Sequence, residues 1–131
     1  MQRMTNQTTI KRFALFLILG FAVSAPLTAN AQTQMEMNIT AGKNFDKADK
    51  TMTVAYKKLM SKLDVKGKAR LKKAQIAWIK FRDAEAELLA SKVEGGSIYP
   101  MIYSEHLTII TNQRTKELNY AYTLFTTDGY M

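Results

Sequence analysis

The sequence predicts an all-α fold, a small antiparallel bundle of three helices behind a cleaved signal peptide. Three observations predict it. Apolar residues recur at spacings of three and four from Phe45 onward, polar or glycine-containing stretches interrupt that rhythm twice, and one long apolar run stands apart near the start of the chain. No stretch shows the two-residue alternation of a half-buried strand.

The apolar run fixes the expected compartment. Arg3, Lys11 and Arg12 make a basic start, residues 13–25 are mostly apolar, and Ala29-Asn30-Ala31 has the small-x-small form of a cleavage site. Residues 1–31 are therefore read as a signal peptide cut before Gln32. A spanning helix needs about 20 apolar residues, and Pro26, Asn30 and Gln32 close the stretch early. No cysteine follows the cut to carry a lipid. Periplasmic or secreted localisation without a stable membrane anchor is the expectation.

Residues 32–43 are polar, carry Met35 and Met37 without a sustained period, and read as a flexible lead. Residues 44–127 read as the helical domain, one unit with one modest core. Its first helix carries Phe45, Ala48, Met52, Ala55, Leu59 and Leu63 on one stripe, and a break is expected around Asp64 to Gly67. The second stripe is Leu71, Ala74, Trp78, Phe81, Glu85 and Leu88, ending near Val93. Gly95 and Gly96 can take the left-handed conformation that stops a helix. Ser97 is placed to cap the third helix, with Pro100 in its first turn. That helix carries Tyr99, Tyr103, Leu107, Ile110, Arg114, Leu118, Ala121 and Phe125, widened by Met101, Ile102 and Ile109. Short turns make antiparallel neighbours the economical arrangement.

Charge and composition narrow the function. The whole chain is +8, and loss of residues 1–31 with their three cations leaves +5. That balance favours anionic partners, although Lys57, Lys58, Lys62, Lys66, Lys68, Arg70, Lys72 and Lys73 also read as the solvated faces and turn of two helices. Export disfavours nucleic acid. There is no cysteine, hence neither a disulfide framework nor a thiolate site.

Catalytic chemistry finds little support. Glu85 and Glu105 are one glutamate on each of two neighbouring helices, as in most bundles, although paired carboxylates can do acid–base work. His106 is the single histidine, too few for zinc. Ser97 lacks a nucleophile-elbow context, and Gly95-Gly96-Ser97 lacks the lysine of a phosphate loop. No enzyme activity and no cofactor are expected. Trp78 and Arg82 lie one helical turn apart, so the guanidinium can cover the indole face. With Gln75 they form either a recognition edge or an internal link, Arg82 then needing a carboxylate from Asp83, Glu85 or Glu105.

The run Gln75-x-x-Trp78-x-x-x-Arg82-Asp83-Ala84-Glu85 is followed by Gly95-Gly96-Ser97-Ile98-Tyr99-Pro100-Met101. With Tyr56-x-x-Leu59, Leu71, Glu105, Leu107 and Thr111-x-x-Arg114-x-x-x-Leu118, it resembles the lysozyme inhibitor LprI-like domain family. The resemblance runs from about Ala48 to Asn119. It implies a small exported helical protein of the bacterial envelope, some of whose relatives are associated with lysozyme inhibition. Cysteines usual in that family's pattern are replaced here by Ala86 and His106; if the two are normally joined, about 2 to 4 kcal/mol of staple is absent.

Two functions from different classes follow. In the first, the protein occludes a lysozyme or another cell-wall hydrolase. Familiar animal lysozymes are strongly basic, which the overall positive charge opposes, so contact in this reading is expected at the acidic Asp83, Glu85, Glu87 and Glu94 and the loop from Glu94 to Pro100; the alternative is that these acids simply pair with the many lysines. Asp83, Glu87, Glu94, Ser97 and Tyr99 are the candidate contacts. In the second, the protein is a non-inhibitory envelope module that binds anionic glycan, lipid or an envelope protein through its lysines, Tyr120 and Tyr122. A monomer or weak homo-oligomer is expected, with Tyr56, Gln75, Trp78, Arg82, Glu85, Gly95, Gly96, Glu105 and Arg114 as structural residues.

Overall fold

The structure is a computed structural model and describes residues 25–127. Three α-helices account for most of them: α1 (Ala25–Met60), α2 (Val65–Ala90) and α3 (Tyr99–Thr126), with a 3-10 turn at Ser91–Val93. Among the described residues there is no strand, as the periodicity predicts. Most of the expected signal peptide, residues 1–24, lies outside the described residues. Its last residues, from Ala25, belong to α1, which continues without a break through the expected cleavage point.

The flexible lead expected at residues 32–43 is instead a helical segment of α1. Two anchors hold it: Ala41 is buried, and Asn38 Nδ2 donates across 3.0 Å to the carbonyl oxygen of Ser97. Helical propagation needs only that its inward positions find partners. Small and amide side chains suffice here, and they leave no apolar stripe to read.

The chain runs up, down and up. Asn38 in the first half of α1 meets Ser97 just before α3, while Lys58 near the end of α1 lies 4.1 Å from the Tyr122 ring centre near the end of α3. Those two helices are therefore parallel, with α2 antiparallel to both. Along α1 the inward residues Ala41, Phe45, Ala48, Met52, Ala55 and Leu59 alternate by four and three, the spacing of a narrow helix–helix seam. Alanine recurs every seventh residue there, which lets α3 approach closely. Met52, Ala55, Leu59 and Leu118 form the buried cluster, and Tyr56, Leu63, Leu71, Trp78, Ala121 and Tyr122 pack on it. Full burial of each large apolar member contributes about 1.5 to 3 kcal/mol.

The turns follow the sequence closely. Asp64 caps α2 by accepting from the Gly67 amide at 2.7 Å. A Cβ at Gly67 would stand 3.0 Å from that same carboxylate and 3.1 Å from Leu63 Cβ, so the position is crowded as well as flexible. Gly95 has φ +76°, the left-handed conformation that ends the second helical segment. Ser97, however, does not cap α3. Ile98 precedes the helix with no side-chain cap bond, and Pro100 sits in the first turn. Backbone turns do the work instead: Tyr99 donates to Gly96, and Met101 and Ile102 donate to Ile98.

The phase of α2 departs from the expected stripe. Its buried residues are Gln75, Arg82, Ala86 and Ala90, while Phe81 and Leu88 are 56% and 65% exposed. Ala86 and Ala90 have no exposed surface, and two polar side chains occupy the remaining inward positions. The helix is rotated to bring those polar groups to partners on α1 and α3. Ile76, Phe81 and Leu88 are consequently left facing outward.

Candidate functional site

The interior of the bundle explains the motif centred on Trp78. Gln75 Nε2 lies 2.9 Å from Met52 Sδ on α1, and Gln75 Oε1 accepts from Arg114 Nε on α3 at 3.2 Å. One amide thereby connects all three helices. Arg82 Nε donates to Asp83 Oδ1 at 2.8 Å, and Arg82 Nη1 reaches Asp49 Oδ1 on α1 at 3.1 Å. Its carbon stands 5.1 Å from the Phe45 ring centre and 5.3 Å from that of Trp78. The Arg114 guanidinium is 5.6 Å from the same indole and also pairs with Glu117 at 3.0 Å. Trp78 is thus half-buried against the core with two cations near its ring. Of the carboxylates offered by the sequence, Asp83 pairs with Arg82; Glu85 and Glu105 do not, and Asp49 takes the remaining place. Glu105 is exposed beside Thr40 and Asn44, in a groove between α1 and α3.

A second polar assembly faces solvent where α2 gives way to α3. Ala84, Glu87, Leu88, Ser91, Glu94 and Tyr99 line an open cleft of about 280 Å³. Tyr99 stacks on Tyr103 with ring centres 6.0 Å apart and planes 8° from parallel, a consequence of their four-residue spacing on α3. Burial raises the Tyr103 phenol pKa above its ordinary value. Asp83 and the other negative groups nearby, Tyr99 and Glu87, raise it further, while Arg82 acts in the opposite direction.

The five expected contact residues divide by location. Glu87, Glu94 and Tyr99 line the same cleft. Asp83, next in sequence to the cleft residue Ala84, does not line it, and its carboxylate is committed to Arg82. Ser97 lies on a different face, beside Asn30, Gln34 and Pro100, with its carbonyl held by Asn38. Leu88 completes the cleft, and Tyr103 supports it from behind by stacking on Tyr99; neither was an expected contact. The Tyr99/Tyr103 spacing was the available signal for one; Leu88 was masked by its place on a stripe expected to be buried.

The helical arrangement also sorts charge along the bundle. Lys57, Lys58, Lys62, Lys66, Lys68, Arg70, Lys72 and Lys73 surround the α1–α2 turn, with Asp64 the acid among them. The stretch from Asp83 to Glu105 carries Asp83, Glu85, Glu87, Glu94 and Glu105 against the base Lys92, and it folds to the opposite end. A chain that is positive overall thus presents a negative end. Among the described residues no helix is long and apolar enough to cross a membrane, and no three His, Asp or Glu side chains gather as a metal site.

Comparison with known proteins agrees with the motif. The family described as lysozyme inhibitor LprI matches residues 27–118. An uncharacterized protein of Rhizobium meliloti strain 1021 is 33% identical over 106 residues, covering 71% of this chain and 76% of the relative. No solved structure matches.

Proposed function

Because the chain belongs to the lysozyme inhibitor LprI family, we propose that it is a non-catalytic inhibitor that binds a lysozyme or related cell-wall hydrolase through its acidic, aromatic end. The observation that carries this reading is the convergence of Glu87, Glu94, Tyr99 and Leu88 on one open cleft, with Asp83 and Tyr103 beside it. Exposed carboxylates around an aromatic and aliphatic centre suit a basic enzyme surface: the charges speed and orient encounter, and the apolar centre holds the complex once water is displaced. The separation of charge answers the objection that a positive chain repels a basic target. Local potential at the approaching end governs steering at distances near the Debye length, about 8 Å at physiological salt.

In this reading residues 1–31 direct export and are removed, so the mature helix begins inside α1 and the protein acts in the periplasm or outside the cell. The loop around Glu94 blocks the substrate cleft by occlusion. No catalytic group is required.

The test is muramidase activity of animal and bacterial lysozymes against increasing purified protein, alongside a Glu87→Lys/Glu94→Lys variant. Both side chains are exposed and neither takes part in the internal ion pairs. Dose-dependent inhibition that the folded variant loses supports the proposal. Absence of inhibition across the panel, or equal inhibition by the variant, overturns it.

A further inference from the structure

The basic end contains a groove that the inhibitor reading does not use. It lies where the end of α1, the turn into α2 and the end of α3 meet, and it encloses about 560 Å³. Leu59, Leu63, Leu71 and Ala121 form its floor, continuous with the core, and the exposed ring of Phe125 stands at one edge. Lys62, Lys66 and Arg70 line its rim. All three are exposed, and none makes an ion pair within the described residues. The carboxylate in the groove, Asp64, is engaged in capping the Gly67 amide at 2.7 Å.

From this juxtaposition we propose that the groove binds one monoacyl anionic amphiphile, its chain on the leucine floor and its head group among Lys62, Lys66 and Arg70. Charge complementarity selects the head: three unpaired cations face one occupied carboxylate, which disfavours a neutral or cationic head at the same place. The floor selects the tail, because the half-buried Leu63, Leu71 and Ala121 above the buried Leu59 keep apolar surface open to water that gains from being covered. A concave site of this volume suits a single chain rather than the plane of a bilayer, which would require a convex or flat apolar face.

Laurate below its critical micelle concentration is the probe, titrated calorimetrically into the purified protein at neutral pH. Dodecyltrimethylammonium is the control of equal chain length and opposite charge. Two variants separate head from tail: Lys66→Glu/Arg70→Glu inverts the rim, and Ala74→Trp, at an exposed helical position lining the groove, fills the cavity. Saturable one-to-one binding of laurate is expected, weakened at least tenfold in both variants and for the cationic amphiphile. Absence of saturable binding, unchanged affinity in either folded variant, or equal affinity for the cation overturns the proposal. Sedimentation with phosphatidylglycerol vesicles distinguishes a general attraction to anionic surfaces: if the cavity-filled variant binds vesicles like the parent and laurate does not bind, the groove is not a ligand site.

Discussion

The side-chain amide of Gln75 on α2 donates to the thioether sulfur of Met52 on α1 across 2.9 Å. Sulfur is a weak acceptor, so the contact gains most of its meaning from the other end of the amide, where Arg114 of α3 donates to the carbonyl oxygen. Gln75 is 7% exposed, and water has little opportunity to replace either bond.

Removing that link should loosen the bundle. Gln75→Leu keeps the volume but leaves the partly buried Arg114 with one fewer acceptor, at an expected cost of about 1 to 3 kcal/mol. For a domain of this size each kcal/mol lowers the melting temperature by roughly 4 to 8 °C. Thermal unfolding followed by circular dichroism tests this; an unchanged midpoint would contradict the linking role.

Arg82 should resist replacement by lysine. The guanidinium reaches Asp49 and Asp83 at once while lying near two aromatic rings, and a single ammonium cannot reproduce that fork. Both carboxylates are nearly half exposed, at 44% and 47%, so water compensates part of the loss. Arg82→Lys is expected to cost about 1 to 2 kcal/mol and Arg82→Ala about 2 to 4 kcal/mol. Urea midpoints should fall in that order at constant slope.

Thr111 offers the opposite outcome. It is fully buried on α3, and its hydroxyl oxygen has no hydrogen-bond partner. Thr111→Val preserves the branched shape and removes the stranded polar group, so stability should rise by about 1 kcal/mol. A lower melting temperature in this variant would show that the hydroxyl is satisfied in solution.

Tyr103 should give the acidic end a spectroscopic signature. Its phenol is raised by burial and by neighbouring negative charge, so the neutral form is favoured in the folded protein. The stability linked to this group is present below the unfolded phenol pKa and is lost as pH rises through the raised folded value. Absorbance titration should show a late phenolate that disappears in Tyr103→Phe. Loss of Asp83 and Glu87 as charges, through Asp83→Asn/Glu87→Gln, should move that late titration toward lower pH.

Legibility in the sequence varied with the kind of residue at the inward face. On α1 the pattern Phe45, Ala48, Met52, Ala55, Leu59 reports the seam because hydrophobicity alone selects those positions. On α2 the inward face includes Gln75 and Arg82, whose burial depends on partners in other helices; Asp49 lies 33 residues before Arg82, and no local period encodes that pairing. The N-terminal half of α1 was hidden for a related reason, since an asparagine bonded to a distant carbonyl reads as polar surface until the fold supplies the carbonyl. Glu87, Glu94 and Tyr99 were recognisable as a set from charge and loop position, whereas the departure of Ser97 to another face follows from the way the loop turns after Gly95.

The parallel alignment of α1 and α3 also bears on how the chain reaches its native state. Their seam joins segments remote in sequence, as in the Asn38–Ser97 bond spanning 59 positions. The first helical hairpin has little of its own to hold it, because α1 packs mainly on α3 and hardly on α2, and Leu118 of the central cluster arrives only with the last helix. Loop-closure entropy must therefore be met before most of the apolar reward is available, and folding should be slow for an all-helical domain. During synthesis, the inward face of α1, which carries Ala41, Ala48 and Ala55, therefore stays uncovered until α3 has emerged.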